Sequence, residues 1–371
     1  MGPELILAAA LAVAASTTTA IGVIASTGVP VSVAVSTDVG VSTGVDVSSG
    51  VFASTAARAA SGASVVLVAV GDIRLDGPVG LVAALGGFGA PTAKIREALR
   101  ADILFGNLET PITTRGLKHF KKYNFRAPPK SLAILREAGF SIVNLANNHV
   151  WDYGERGLLD TLAALRETDL PHVGAGKDLE EAQRPVILER SGVRVGWLGF
   201  TSTFPSEAWA RANKPGVAFA DFGRFPEVVR RAKDRCDVLV VSFHGGDELA
   251  PEPNAVQRDF AHAAVDAGAD LVIGHHPHVL QPIEEYKGRF ILYSLGNFLF
   301  VGRAARWSAL ARVRLSRDGI ESIEFEPLDT WFGQPHPPSK AGAVAAWAAL
   351  DAWGTLTANP GRLRFLEPSA P

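Results

Sequence analysis

At 371 residues the chain can bury a sizeable core, as one large domain or two ordinary ones. A net charge of −2 and a pI near 6.5 leave no basic excess that would argue for nucleic acid as a partner. Cys236 is the only cysteine, which excludes an internal disulfide framework and any cysteine-based zinc cluster, so a metal site must be built from His, Asp, Glu and Asn.

Residues 1–63 differ from the rest. Before Arg58 the only charged residues are Glu4, Asp38 and Asp46. The run 5–15, LILAAALAVAA, resembles the apolar core of a secretory signal, although no basic residues precede it. It is short for a membrane span, which needs roughly 20 apolar residues. A Val/Ser/Thr/Gly tract follows and reads as a flexible spacer. The expectation for 1–63 is an export signal or anchor plus a low-complexity linker, placing the protein outside the cytoplasm, either exported or membrane-anchored.

From Ser64 the pattern alternates. Short apolar runs at 65–70, 102–105 and 141–145 read as strands. Segments 91–100, 130–138 and 157–168 read as helices. Gly139 closes the second, and Leu158, Leu162 and Leu165 share one face of the third. Ser191-Gly192 sits between two strand-like runs and suggests a hairpin. A helix over 225–234, a strand over 238–243, a helix over 256–267 and a strand over 271–274 follow. Runs at 290–295, 309–315 and 320–325 look like closing strands. The alternation indicates α/β, and the strand-rich later part a second sheet. A main domain over 64–330 is expected, followed over 331–371 by a Pro-rich turn and a helix, 341–353, packed on it.

Several strands end in residues able to hold a metal: Asp72, then Asn107 and Glu109, then Asn148 and His149, then His244, then His276 and His278. Any one of these is commonly a turn or cap residue. Together, at the ends of strands in one α/β domain, they suggest a metal site. Oxygen donors mixed with imidazoles suit Mn, Fe or Zn better than Ca or Mg. In an extended segment, residues i and i+2 face the same side, so His276 and His278 are expected to point together and His275 away.

The order of these motifs resembles the calcineurin-like metallophosphoesterase superfamily. The strings GNLETPIT (106–113), FRAP (125–128), LANNHVWDYG (145–154), GHHPH (274–278) and YSLGNF (293–298) narrow the resemblance to the CapA family, which is associated with poly-γ-glutamate capsules. The likeness runs from about residue 65 to 300. It implies a four-layer α/β/β/α sandwich and one or two divalent metals. Asp72 and His278 would hold one, and Asn148, His244 and His276 the other. Glu109 or Asn107 would take the place of a bridging aspartate. His149 would be a general acid oriented by Asp152. Arg74, Arg126 and Lys122 would meet an anionic substrate.

Two departures bear on that implication. The superfamily's D-x-H is Asp72-Ile73-Arg74 here, and its bridging Asp is Asn107. The resemblance implies a metal-dependent hydrolase or transferase acting on an anionic polymer such as poly-γ-glutamate, in a membrane-bound capsule synthesis complex. The alternative is a non-catalytic polymer-binding or export subunit that keeps a degraded metal site.

Overall fold

Short apolar runs closed by turn residues become buried strands in the computed structural model, which describes residues 23–24, 30–31, 64–302 and 306–366. The chain divides into two units, Met1–Ala59 and Ala60–Pro371. The first unit shows a two-residue antiparallel ladder, Val23–Ile24 against Pro30–Val31. The signal-like run 5–15 and most of the expected linker lie outside the described residues. Among the described residues, no helix is long and apolar enough to cross a membrane.

The second unit is built on two sheets. In the seven-stranded sheet, Val65–Ile73, Ile103–Leu108, Ile142–Asn144 and His172–Val173 run parallel in that order. Trp307–Ser316 joins antiparallel to Val65–Ile73 and pairs in turn with Gly319–Asp329. In the six-stranded sheet, Val193–Thr201, Val238–His244, Leu271–His275 and Arg289–Leu292 are parallel neighbours. Hairpin partners Val186–Arg190 and Ile283–Tyr286 close its two edges. Ser191 (φ 49°) and Gly192 (φ 74°) both take the left-handed conformation that a tight two-residue hairpin turn requires.

Side-chain alternation along the strands sorts the apolar residues into layers. Leu67, Phe105 and Ile142 of the first sheet pack against Trp197, Val240 and Ile273 of the second, and the Phe105 and Trp197 rings lie 4.7 Å apart. On the outer face of the seven-stranded sheet, Val68, Val70, Leu104 and Val143 meet Val79, Leu135, Leu158 and Leu162 from helices Gly77–Gly86, Leu132–Ala138 and Gly154–Glu167. On the other outer face, Leu198, Leu239, Val241 and Val272 meet Val229, Phe260 and Ala264 from helices Phe225–Lys233 and Ala255–Asp266. The architecture is therefore the four-layer α/β/β/α sandwich.

Two local expectations need correcting. Segment 91–100 is not an α-helix but a short 3-10 helix, Ala90–Ile95, followed by turns. It has no side-chain cap, and Thr92 and Ile95 are poor helix formers. The helix Gly77–Gly86 was not expected, because its glycines depress intrinsic propensity. It forms with Val79 and Ala83 buried against the sheet. Near the C-terminus, Ser339 caps helix Lys340–Leu350, which sends Ala346 and Leu350 into the inter-sheet core. Leu363–Phe365 then adds an edge strand to the seven-stranded sheet.

Candidate metal centre

Parallel strands that end side by side bring their last residues to one edge. Asp72 and Asn107 are direct partners across their strands, after a register shift between Ala69 and Asp72. Gly71 makes room for the shift, since a Cβ there would sit 1.8 Å from the Gly296 carbonyl oxygen. That oxygen accepts the Asp72 N–H at 3.0 Å. In the facing sheet His244 and His275 are partners in the same way. Asp72, Asn107, Glu109 and His244 are fully buried, and His149 and His276 nearly so.

These residues converge. Asp72 Oδ2 lies 3.2 Å from His278 Nδ1 and accepts the His276 N–H at 3.2 Å. His278 Nδ1 is also 2.9 Å from Asn297 Oδ1. His244 Nε2 is 2.9 Å from Asn148 Oδ1, and its ring centroid is 4.7 Å from that of His276. Glu109 Oε1 approaches His244 Nδ1 at 3.7 Å, and Glu109 Oε2 approaches His149 Nε2 at 4.0 Å. On its other side the His149 ring meets Asp152, Nδ1 to Oδ2, at 2.8 Å. His276 and His278 converge by a different route from the expected one. The strand stops at His275, and the two residues turn in with φ of 98° and 61° rather than by strand alternation. His275 does not point away either, since its Nδ1 is 3.5 Å from Asp72 Oδ1.

Asn107, expected as a ligand or bridge, presents a donor instead. Its Nδ2 donates to Asp72 Oδ1 at 2.8 Å and to Glu109 Oε1 at 3.2 Å, and lies 3.0 Å from His244 Nδ1.

The protonation states follow from burial and charge. Burial alone would raise the Asp72 pKa, but His275 and His278 outweigh it and hold the carboxyl well below its usual value. Burial, together with the Asp72 charge, pushes Glu109 well above the usual range. Burial and the neighbouring His278 depress His276 to about 3. Burial opposes a charge on His278 too, but Glu109 and Asp72 raise it to about 9. His149 is lowered because burial outweighs Asp152.

The donor set fits a cation. Ligand atoms of Asp72, Glu109 and His244 lie within 4.8 Å of one another. Glu109 Oε2 and His276 Nδ1 are buried with no hydrogen-bond partner, which is costly unless something else binds there. Oxygen and imidazole donors together suit a divalent transition metal. A pocket of about 400 Å³ opens beside the centre, lined by Asn148, His276, Ser202, Thr203, Phe204 and Asn254 among others. A larger cleft, about 710 Å³, lies between Arg184 and Arg235 and contains none of these groups.

Of the expected anion-binding arginines, Arg74 is engaged in an ion pair and Arg126 stays exposed. Arg74 pairs with Asp76 and lies 4.1 Å over the Phe125 ring, and Phe125 stacks on His149 at 3.9 Å. The Arg126 guanidinium lies 4.3 Å over Tyr153. Lys122 stays exposed beside Tyr123. Lys121 was not anticipated. It pairs with Asp152 and donates to the Asn148 carbonyl at 2.8 Å. Nothing in the string LKHFKKYNFR distinguishes the lysine that turns inward. The pocket residues 202–204 and 254 were also missed, because they carry no motif.

The family model described as bacterial capsule synthesis protein PGA_cap matches residues 66–301. The PGA biosynthesis protein CapA of Bacillus subtilis is 37% identical over 279 residues, covering 73% of this chain and 73% of that one. The capsule biosynthesis protein CapA of Bacillus anthracis is 38% identical over 251 residues, covering 65% of this chain and 61% of its own length. A probable polyglutamine synthesis accessory protein of Mycobacterium tuberculosis is 36% identical over 217 residues, covering 55% and 57%. Among solved structures, the NAD nucleotidase of Haemophilus influenzae has a TM-score of 0.45 at 12% identity, covering 83% of this chain and 65% of that one. A 5'-nucleotidase precursor from Thermus thermophilus has a TM-score of 0.44 at 15% identity, covering 79% and 60%. These structural likenesses are too distant to bear on chemistry.

Proposed function

The chain belongs to the bacterial capsule synthesis family PGA_cap, and on that premise we propose that it is a metal-dependent hydrolase or transferase acting on a poly-γ-glutamate-type polymer outside the cytoplasm. One observation carries the catalytic part. Glu109 Oε2 and His276 Nδ1 are buried without hydrogen-bond partners among the described residues, and His276 also lines the pocket.

Glu109, Asn148 and His276 would hold the metal, with Mn, Fe or Zn suited to that donor set, while His244, whose Nδ1 faces the Asn107 NH2, reaches Asn148 Oδ1 through Nε2. A divalent cation bound there supplies Lewis acidity toward a carbonyl or phosphoryl oxygen. His149 handles the proton. Asp152 engages its Nδ1, which leaves Nε2 facing the centre, and burial favours the neutral ring. Nε2 would therefore take the proton of the attacking nucleophile, water in hydrolysis or the acceptor's own group in transfer, and give it to the leaving group as that bond breaks. Phe125 stacks on the ring and Lys121 holds Asp152, so the imidazole is fixed in plane and orientation.

The pocket favours an amide over a phosphate at the cleaved bond. Ser202, Thr203 and Asn254 offer neutral donors and acceptors, Phe204 and Val256 form an apolar wall, and among the described residues no lysine or arginine lines it. The exposed Lys118, Lys122 and Arg126 lie on the loop that carries Lys121, and they would meet the polymer's carboxylates. The reading includes export or anchoring through the run 5–15, in a membrane-bound capsule synthesis complex. A carboxy-terminal reporter that is active only outside the cytoplasm tests the placement.

The functional test is chain shortening of poly-γ-glutamate by the metal-loaded full chain. Wild type is expected to shorten the polymer, and His149→Ala and His276→Ala to fail. Polymer binding without cleavage by the metal-loaded protein would instead favour the non-catalytic reading, for which the unmatched Arg74 and Asn107 already speak.

A further inference from the structure

We propose that the centre holds a single divalent cation, on the His276 side, because Asn107 fills the other position with its own amide nitrogen. This rests on the metal-centre reading above and specifies its stoichiometry.

A carboxamide's orientation follows from its hydrogen-bond network. Asn107 Oδ1 accepts from Asn144 Nδ2 at 2.9 Å and from Asn147 Nδ2 at 3.3 Å. Main-chain groups, which cannot flip, pin both neighbours. Asn144 Oδ1 accepts the Ala146 N–H at 3.1 Å, and its Nδ2 donates to the Ala146 carbonyl at 3.2 Å. Asn147 Oδ1 accepts the His149 and Val150 N–H groups, each at 3.0 Å, and its Nδ2 donates to the Leu108 carbonyl at 2.8 Å. Glycines also leave Asn144 its place: a Cβ at Gly199 would lie 2.2 Å from Asn144 Oδ1, and one at Gly174 would lie 2.8 Å from it. Turning Asn107 over would set its NH2 against two other NH2 groups.

Asn107 Nδ2 therefore faces the centre, within 2.8 to 3.2 Å of Asp72 Oδ1, Glu109 Oε1 and His244 Nδ1. Those three residues are also the Asp–Glu–His group whose ligand atoms lie close enough to hold an ion. The amide hydrogens thus serve the acceptors that a cation in that position would need. An NH2 group has no lone pair to offer a metal, so Asn107 can neither ligate nor bridge. Asp72 Oδ2 is occupied as well, by the His276 N–H and by His278. Glu109 Oε2 and His276 Nδ1 remain without hydrogen-bond partners among the described residues, and His276 and Asn148 line the pocket.

The test loads metal-stripped full-length protein with Mn(II) and reads equivalents bound by elemental analysis. Wild type is expected to saturate at one equivalent. In Asn107→Asp, one carboxylate oxygen can keep the Asn144 and Asn147 hydrogen bonds while the other faces the centre, and a second equivalent is expected. Electron paramagnetic resonance of Mn-loaded wild type needs no variant and covers the case in which the aspartate disturbs folding. It should show the hyperfine pattern of an isolated Mn(II). A spin-coupled pair or two equivalents in wild type would overturn the proposal and leave the metal-centre reading standing. A folded Asn107→Asp protein that stays at one equivalent would also count against it. No binding by either protein would remove the metal-centre reading itself.

Discussion

The two sheets meet at one edge but contribute different chemistry. The seven-stranded sheet supplies Asp72, Asn107 and Glu109, joined by hydrogen bonds through the Asn107 amide, and, on a following loop, Asn148, which meets His244 of the other sheet. The six-stranded sheet supplies imidazoles, of which His276 Nδ1 finds no hydrogen-bond partner among the described residues. One side is a largely preorganised polar frame that leaves Glu109 Oε2 open. The other carries the open His276 Nδ1, and an incoming cation gains most there. Metal binding is thus expected to depend more steeply on the imidazole side, and fold stability on the oxygen side.

The largest effect should come from breaking the imidazole side. His276→Ala should lower metal affinity by roughly two orders of magnitude or more, read by calorimetric titration, with only a small change in unfolding midpoint. His149→Ala should retain metal and lower polymer turnover by about 10²- to 10⁴-fold. Equal loss of metal in both variants would erase the distinction between ligand and proton carrier.

The frame side is tested through Gly71. Alanine there drives a methyl into the Gly296 carbonyl and displaces Asp72 from its register. Gly71→Ala should cost about 3 kcal/mol or more of stability in denaturant titration, beyond the usual penalty of overpacking. A near-neutral result would mean that the strand end is softer than the geometry indicates. A smaller effect should follow Lys121→Met, which leaves every ligand in place but removes the cation from Asp152. Turnover should fall roughly tenfold with metal content unchanged.

The smallest effect lies outside the centre. Burial lowers the His172 pKa, more than Glu181 and the Ala175 backbone restore. A histidine whose folded pKa lies below its unfolded value of about 6.5 contributes stability above that pH and loses it as pH falls. His172→Gln should therefore flatten the acid decline below pH 6.5. The change should be a fraction of the roughly 1.4 kcal/mol per pH unit expected for a fully shielded ring, since His172 is only partly buried. An unchanged slope between pH 6.5 and 5 would assign the acid sensitivity elsewhere.

The strand ends were legible in the sequence because a buried parallel strand is an apolar run, and Asp72, Asn107, His244 and His275 stand where those runs stop. The layers were less legible. Which of two alternating faces meets the other sheet, as Leu67 and Phe105 do, is fixed only when Trp197 and Ile273 arrive from distant sequence. Within the centre, the residue types pointed to the right neighbourhood but not to their orientation. Asn107 looked like a ligand because an amide carries an oxygen. Its facing depends on Asn144, Asn147 and the main chain around them, a network that no local pattern encodes. The same holds for Lys121, one of several cations in a loop whose path decides which of them reaches Asp152.

The central claim is that a divalent cation belongs to this centre. Elemental analysis of the full-length protein, purified without chelators or a histidine tag, tests it most directly. The account predicts retained Mn, Fe or Zn that His276→Ala loses while remaining folded. Well-folded wild-type protein that carries no metal, and takes up none on reconstitution, would contradict it.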